Sequence, residues 1–195
     1  LGWGSGDHVH EPLIQSTLVT TDINMNIVND LATDYSSSAD GKTWTFKIRD
    51  DVTFTNGEPL TAKDVAFTFN QVKASSGTAV DLSTMEEAVA VDDTTVKLHL
   101  TEPNNSILYT IAVIGIVPEN AYDKNYAVNP IGSGRYMLKQ WDKGQQVILE
   151  ANPDYYGEAP KMQKVTILFM EEDAALAAAK SGEADIVYTS ATYSN

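Results

Sequence analysis

Residues 40–52 read Asp-Gly-Lys-Thr-Trp-Thr-Phe-Lys-Ile-Arg-Asp-Asp-Val. Asp40-Gly41 is a turn pair, because glycine supplies the positive φ such turns need. From Thr43 to Arg49 the residues alternate: Trp44, Phe46 and Ile48 fall on one face, and Thr43, Thr45, Lys47 and Arg49 on the other. A period of two predicts a strand with one buried face. Asp50-Asp51 turns the chain, Val52 to Phe54 reads as a short second strand, and Asn56-Gly57 is a tight-turn pair of the hairpin kind.

Downstream, Thr61 and Asp64 form a capping-box start before Val65, Phe67 and Phe69, which predicts a helix running to about Ala74. Met85–Val91 and Thr94–Leu100 read as strands around Asp92-Asp93, Ser106–Val113 as a buried helix, and Pro118 as the opening of a short helix through Tyr122, since proline suits a first helical turn. Asn129 to Gly134 is a loop, Tyr136–Trp141 and Gln146–Glu150 a hairpin around Lys143-Gly144, and Lys164–Met170 a strand. The Ala-rich run Asp173–Ser181 is helical by propensity, with Gly182 placed to close it, and Ala184–Val187 is a final strand. Upstream, Pro12–Val19 is mostly apolar, and 30–40 mixes a short helical piece with the loop Ser36-Ser37-Ser38. Strands that lead into helices, beside strands paired by hairpins, predict an α/β or α+β protein with a mixed sheet.

The chain has 195 residues, with 13 basic against 27 acidic side chains and a net charge of −14. That surface disfavours nucleic acid and anionic lipid. Cysteine is absent, which removes disulfides, thiolate catalysis and Cys-ligated metals. No apolar run approaches the roughly 18 residues of a membrane span. The chain opens on Leu1 and stops soon after the strand-like Ala184–Tyr188; both ends suggest a piece of a longer protein.

Catalytic templates fit poorly. The histidines are His8, His10 and His99, none beside a nucleophile elbow, and Gly132-Ser133-Gly134 is only a fragment of one. Gly2-Trp3-Gly4-Ser5-Gly6 lacks the Lys-Ser or Lys-Thr of a phosphate loop. Asp7, His8, His10 and Glu11 offer four candidate metal donors in five positions, although an acidic, histidine-containing surface is the commoner meaning of such a cluster. Glu171-Glu172-Asp173 precedes the Ala-rich helix and is expected to cap it and complement its dipole. Unassigned carboxylates leave a peptide or glycoside hydrolase open. Trp44, Phe46, Phe54, Phe67 and Phe69 sit at core periodicity, whereas Trp3, Tyr155, Tyr156, Tyr188 and Tyr193 sit in loops or at strand ends, where an aromatic body with a polar tip can line a cleft.

Ordered phrases carry a resemblance. His10-Glu11-Pro12-Leu13-Ile14, Leu31-Ala32-Thr33, the stretch 40–52 with Phe54-Thr55-Asn56-Gly57, and Pro59 to Val65 follow one another. Ile116 to Tyr122, Asn129 to Tyr136, Asn152 to Gly157 and Ser181 to Val187 continue the series. Together they resemble the extracellular solute-binding proteins of family 5, the dipeptide, oligopeptide and nickel receptors of ABC importers. Arg135 departs from the family's usual proline.

The resemblance implies a fold of the periplasmic-binding-protein type II kind, with mixed sheets and flanking helices, truncated before the second lobe. Residues 1–13 and 127–195 would belong to the first ligand-binding lobe, and 14–126 to the family's extra domain. It implies a monomeric receptor outside the cytoplasm, in a periplasm or as a cell-surface lipoprotein, without catalysis or cofactor. Its ligand would be a short peptide or, alternatively, a nickel or other metal chelate, and its partners the transmembrane subunits of an ABC permease. The first-lobe cleft wall would include Trp3, Gly4 and Ser5 near the start, and Tyr188, Thr189 and Ser190 after the last strand.

Overall fold

A computed structural model of the chain describes residues 11–75 and 80–189. Strands and helices mix as expected, distributed over three sheets, and every ladder between described strands is antiparallel. A short helix α1 (Glu11–Ile14) leads into a two-stranded ribbon, β1 (Val19–Thr21) with β2 (Ile27–Asn29). A four-stranded sheet follows in the order β3-β4-β6-β5, from β3 (Ala32–Ser37), β4 (Thr43–Ile48), β5 (Met85–Asp92) and β6 (Thr95–Leu100).

The alternation of β4 decides that sheet. Phe46 and Ile48 are buried and Trp44 half-buried, opposite Val96 and Leu98 of β6. Helix α2 (Ala62–Ala74) covers the same core with Val65, Phe69 and Val72. Phe67, expected in the core, is only half-buried and meets Tyr122 edge-on at 5.6 Å. The helix also protects the sheet's edge: Asn70 Nδ2 donates to the Ala88 carbonyl of β5 at 2.9 Å, and the Ala88 N–H donates back to Asn70 Oδ1 at 2.9 Å. An edge strand's open backbone groups are thereby satisfied.

The capping box predicted at Thr61 and Asp64 is formed. The Thr61 side chain accepts from the Lys63 N–H at 3.3 Å, and Asp64 Oδ2 accepts from the Thr61 N–H at 2.9 Å. Asp64 Oδ1 also accepts from the Glu119 N–H at 3.0 Å, tying the helix start to a single 3₁₀ turn, Glu119–Ala121. Between them lies α3 (Ile107–Ile111). Beyond, β7 (Tyr136–Asp142), β8 (Gln146–Ala151) and β9 (Lys164–Leu168) form a meander in that order, and α4 (Glu172–Ser181) ends at Gly182 in the left-handed region, φ 80°.

Four expectations are corrected. Residues 32–37 form β3 rather than a helical piece and a loop. Its faces are mostly exposed, and it is held by the ladder to β4, where Tyr35 lies opposite Phe46; pairing overrides a polar local sequence. Val52–Phe54 is not a strand but one arm of a tight turn with a single bridge, Thr53 to Pro59, because proline cannot donate to a ladder. Ala184–Val187 forms no strand: no described strand lies beside it, and Ile186 and Tyr188 are 80% and 81% exposed. An extended segment needs a neighbour for its backbone groups. At α4, Glu171 is the N-cap but makes no side-chain capping bond, and Glu172 and Asp173 lie in the first turn, where acidic groups complement the helix dipole.

The buried residues fall into two clusters. The larger runs from Leu18 to Ile116 and holds the four-stranded sheet, α2 and α3. The smaller comprises Ile14, Tyr136, Val147 and Leu149. The chain passes between them at two adjoining crossings. The Gly134 N–H donates to the Ile14 carbonyl at 2.8 Å, and the Ile116 N–H donates to the Ser16 carbonyl at 2.8 Å. A Cβ on Gly132 would lie 2.1 Å from the Ile14 carbonyl oxygen, inside any allowed contact.

Two predictions follow from this packing. Asp64→Ala, which strips two backbone donors of their acceptor, is expected to cost about 2–4 kcal/mol, against about 1 kcal/mol for Thr61→Ala, in urea unfolding. Gly132→Ala is expected to cost about 3 kcal/mol through overpacking. Gly144→Ala, where φ is 78° and nothing lies within 4 Å, should cost only the left-handed penalty of about 1–2 kcal/mol. Equal losses at the two glycines would contradict the crossing argument.

Candidate functional site

The crossing segments leave a concavity of about 370 Å³ between the two clusters. Its floor comes from the chain leaving α1, at Gln15, Ser16 and Thr17, which are all buried. Asn29, the last residue of β2, and Asp30 after it form a second wall, and Gly134, Arg135 and Tyr155 a third. Gln15 is fixed from below: its Nε2 donates to the Tyr126 hydroxyl at 3.0 Å, and that hydroxyl donates to the Ile131 carbonyl at 2.9 Å. Burial pushes the Tyr126 phenol well above its ordinary value. Asn152 anchors the third wall, its Nδ2 donating to the Gly134 carbonyl at 2.9 Å and its N–H to the Arg135 carbonyl at 2.7 Å.

Charge in the site is arranged around two adjacent tyrosines whose rings lie 4.6 Å apart. The Tyr156 hydroxyl donates to Asp30 Oδ1 at 2.6 Å. The Arg49 guanidinium lies 5.0 Å from the Tyr156 ring centre and grips Asp51 with two bonds, at 2.8 and 2.7 Å. Arg135 lies 5.5 Å from the Tyr155 ring centre. Burial raises the Asp30 carboxyl above the usual carboxylate range, against the lowering pull of the Tyr156 bond and of the Arg135 and Arg49 charges. Burial, then the Asp30 charge, raises the Tyr156 phenol. Asp51, by contrast, is lowered by its bonds from Arg49.

The residues singled out in the sequence meet this geometry unevenly. Trp3, Gly4, Ser5 and Ser190, with Asp7, His8, His10 and Tyr193, lie outside the described residues. Tyr188 and Thr189 are described and neither borders the concavity. Tyr155 does, and Tyr156 supports it from behind. Ser133 is fully buried, and its hydroxyl finds no partner among the described residues, so it cannot meet a substrate as a nucleophile. Asp30 escaped the sequence reading because its partner is 126 positions away. Among the described residues there is no cluster of three or more His, Cys, Asp or Glu able to hold a metal, and no helix long and apolar enough to cross a membrane.

The sequence profile of the bacterial extracellular solute-binding proteins, family 5 Middle, matches residues 26–195. A probable D,D-dipeptide-binding periplasmic protein of Escherichia coli is 36% identical over 160 residues, covering 76% of this chain and 31% of that protein. Among solved structures, NikZ of Campylobacter jejuni in complex with Ni(L-His) superposes with a TM-score of 0.81 at 28% identity, over 88% of this chain and 37% of that one. The oligopeptide-binding protein AppA of Bacillus subtilis, in complex with a nonapeptide, gives 0.80 at 27% identity, over 93% and 39%. The chain thus spans less than two-fifths of the length of each of these relatives.

Asp30 also sets a pH dependence. Its folded value lies above the 3.8 of the free side chain, so the native state binds the extra proton, and stability falls as pH rises from about that value through the raised one. Asp30→Asn keeps an acceptor for the Tyr156 hydroxyl and removes the buried charge. The variant is expected to melt higher than the parent at pH 7, the gap closing below pH 3.8; a gap that is constant with pH would refute the assignment.

Proposed function

The chain belongs to the bacterial extracellular solute-binding proteins of family 5, and from that premise we propose that it is part of an ABC-importer receptor for short peptides. The observation that carries this reading is the family match over residues 26–195. The peptide-binding relatives support the ligand class. The family is one of binding proteins, so the reading needs no reacting residues.

In this proposal residues 1–13 and 127–195 contribute to the first lobe, and 14–126 form the extra domain. The buried residues from Leu18 to Ile116 form one cluster and Ile14 with Tyr136 another, which supports a two-part division but places Ile14 on the first-lobe side of it. The rest of a full-length receptor would supply the opposing lobe. Trp3, Gly4, Ser5, Tyr188, Thr189 and Ser190 would face it across the cleft. The exposure of Tyr188 suits a position awaiting that partner. Closure of the lobes would bury the peptide and present the closed form to the permease outside the cytoplasm. Backbone groups and ordered water would hold the peptide main chain while tolerating varied side chains.

A nickel chelate is the second reading, favoured by the Ni(L-His)-bound relative. Thermal shift on the full-length receptor separates the two. A matching peptide at about 100 times its dissociation constant should add about 2.7 kcal/mol of stability. No response to any member of a broad peptide library, with calorimetric heat on adding nickel and histidine, would replace the first reading by the second. The 195-residue chain alone is expected to bind the same peptides more weakly than about 1 μM, because one cleft wall is absent; tighter binding measured on it would count against the two-lobe arrangement.

A further inference from the structure

We propose that the concavity between Asp30 and Arg135 is a separate binding site for a free α-amino acid, formed entirely within this chain. Three observations converge on it. First, it holds one cationic and one anionic group that have no ion-pair partner among the described residues. Among the described residues the Arg135 guanidinium makes no hydrogen bond and no ion pair, and its nearest organised contact is the Tyr155 ring at 5.5 Å. The Asp30 carboxylate accepts from the Tyr156 hydroxyl and from the Thr17 N–H, and no cationic side chain among the described residues pairs with it. Both line the same space, and each feels the other's charge, yet no ion pair within 4.0 Å joins them.

Second, the fold holds the Asp30 carboxylate and the backbone that carries Arg135, neither of them through the other. Arg135 follows Gly134, whose N–H is tied to the Ile14 carbonyl, and its own carbonyl is held by Asn152. Asp30 is fixed by Tyr156, and its N–H donates to the Leu18 carbonyl at 3.1 Å. Two opposite charges that line one space without pairing suit a molecule that carries both. Third, the remaining lining supplies short hydroxyl and amide groups, at Ser16, Thr17, Thr20 and Asn29, suited to the spare donors of an ammonium.

The charge pair also eliminates alternatives. An inorganic anion would meet the Asp30 carboxylate, and a bare cation would meet the Arg135 guanidinium. A zwitterion satisfies both: its carboxylate takes the planar fork of Arg135, which suits two parallel bonds, and its ammonium takes an acceptor position that the Asp30 carboxylate keeps beyond Tyr156 and Thr17. The ammonium also compensates a carboxylate whose burial is otherwise costly. A space of about 370 Å³ holds a small polar amino acid with a few waters at about 30 Å³ each. Its apolar lining is confined to Pro12 and the Tyr155 ring. The site is independent of the peptide-receptor reading, since neither Tyr188 nor Thr189 borders it.

The test is an amide ¹⁵N–¹H titration of this chain with L-alanine and L-serine. The expected result is a set of shifts concentrated at Thr17, Asn29 and Gly134, with a dissociation constant of about 1 mM. N-acetylalanine and alaninamide, each lacking one charge, and the dipeptide Ala-Ala, whose charges are further apart, should bind at least about tenfold more weakly. Arg135→Gln should do the same with the rest of the spectrum unchanged, because the guanidinium bonds to nothing in the described fold. Asp30→Asn should weaken binding while keeping the Tyr156 bond. The proposal is overturned if no shifts arise up to about 50 mM, where a millimolar site would be about 98% full. It is equally overturned if the shifts fall elsewhere, if they survive Arg135→Gln, or if a singly charged analogue or the dipeptide binds as well as alanine. Loss of peptide binding by the full-length receptor would leave this result untouched, so the two readings fail separately.

Discussion

The structure depends on one close contact: the carbonyl of Ile14 laid against the backbone of Gly132 and Gly134. No side chain fits there, since a Cβ on Gly132 would stand 2.1 Å from the carbonyl oxygen and one on Gly134 2.6 Å from that of Leu13. The hydrogen bond from Gly134 closes the contact. Around it the outgoing chain from α1 and the returning chain before β7 run side by side, and the two hydrophobic clusters form on either side. The larger cluster could exist with a different approach of the smaller one; the shared concavity could not. Its floor and its third wall are the two strands of chain that this contact holds together.

The electrostatics follow from the same crossing. With so acidic a chain, cations are few, and both arginines stand over adjacent tyrosines. Arg49 is spoken for by Asp51, while Arg135 is not paired among the described residues. Asp30 is half-buried beneath Tyr156, with hydrogen bonds from the Tyr156 hydroxyl and the Thr17 N–H in place of an ion pair. The result is a carboxylate and a guanidinium held in sight of one another but apart, and that is the property a zwitterion recognises. Burial sets the cost of the carboxylate, and the aromatic pair sets where the guanidinium can stand.

Much of this was legible in the residues, where local pattern and tertiary demand coincide. The alternation of 43–49, the capping box at Thr61 and Asp64, and the glycine closing α4 each act over a few positions, and each formed as read. β3 was not legible: Thr-Asp-Tyr-Ser-Ser carries no buried periodicity, and the strand exists because β4 offers it a ladder. The strand expected at Ala184–Val187 failed for the converse reason, an apolar β-prone segment with no described neighbour to pair with. For the site, Tyr155 and Tyr156 stood out as loop aromatics, and Arg135 as a departure from the family phrase. Asp30 carried no local sign at all, because what makes it unusual is a tyrosine far along the chain and the solvent that tyrosine excludes.

Sequence alone determined β4, α2, β5 to β9 and α4 in their order, the buried face of β4, the capped start of α2 and the glycine stop of α4, and, through its ordered phrases, the family. These are properties of period, turn chemistry and capping, which neighbouring residues decide among themselves. Tertiary structure alone decided which edge strand completes the sheet, how the two clusters meet at Ile14 and Gly132, and that Asp30 and Arg135 face one space without pairing. Those outcomes rest on excluded volume and desolvation between segments more than a hundred positions apart, and a reading along the chain has no term for either.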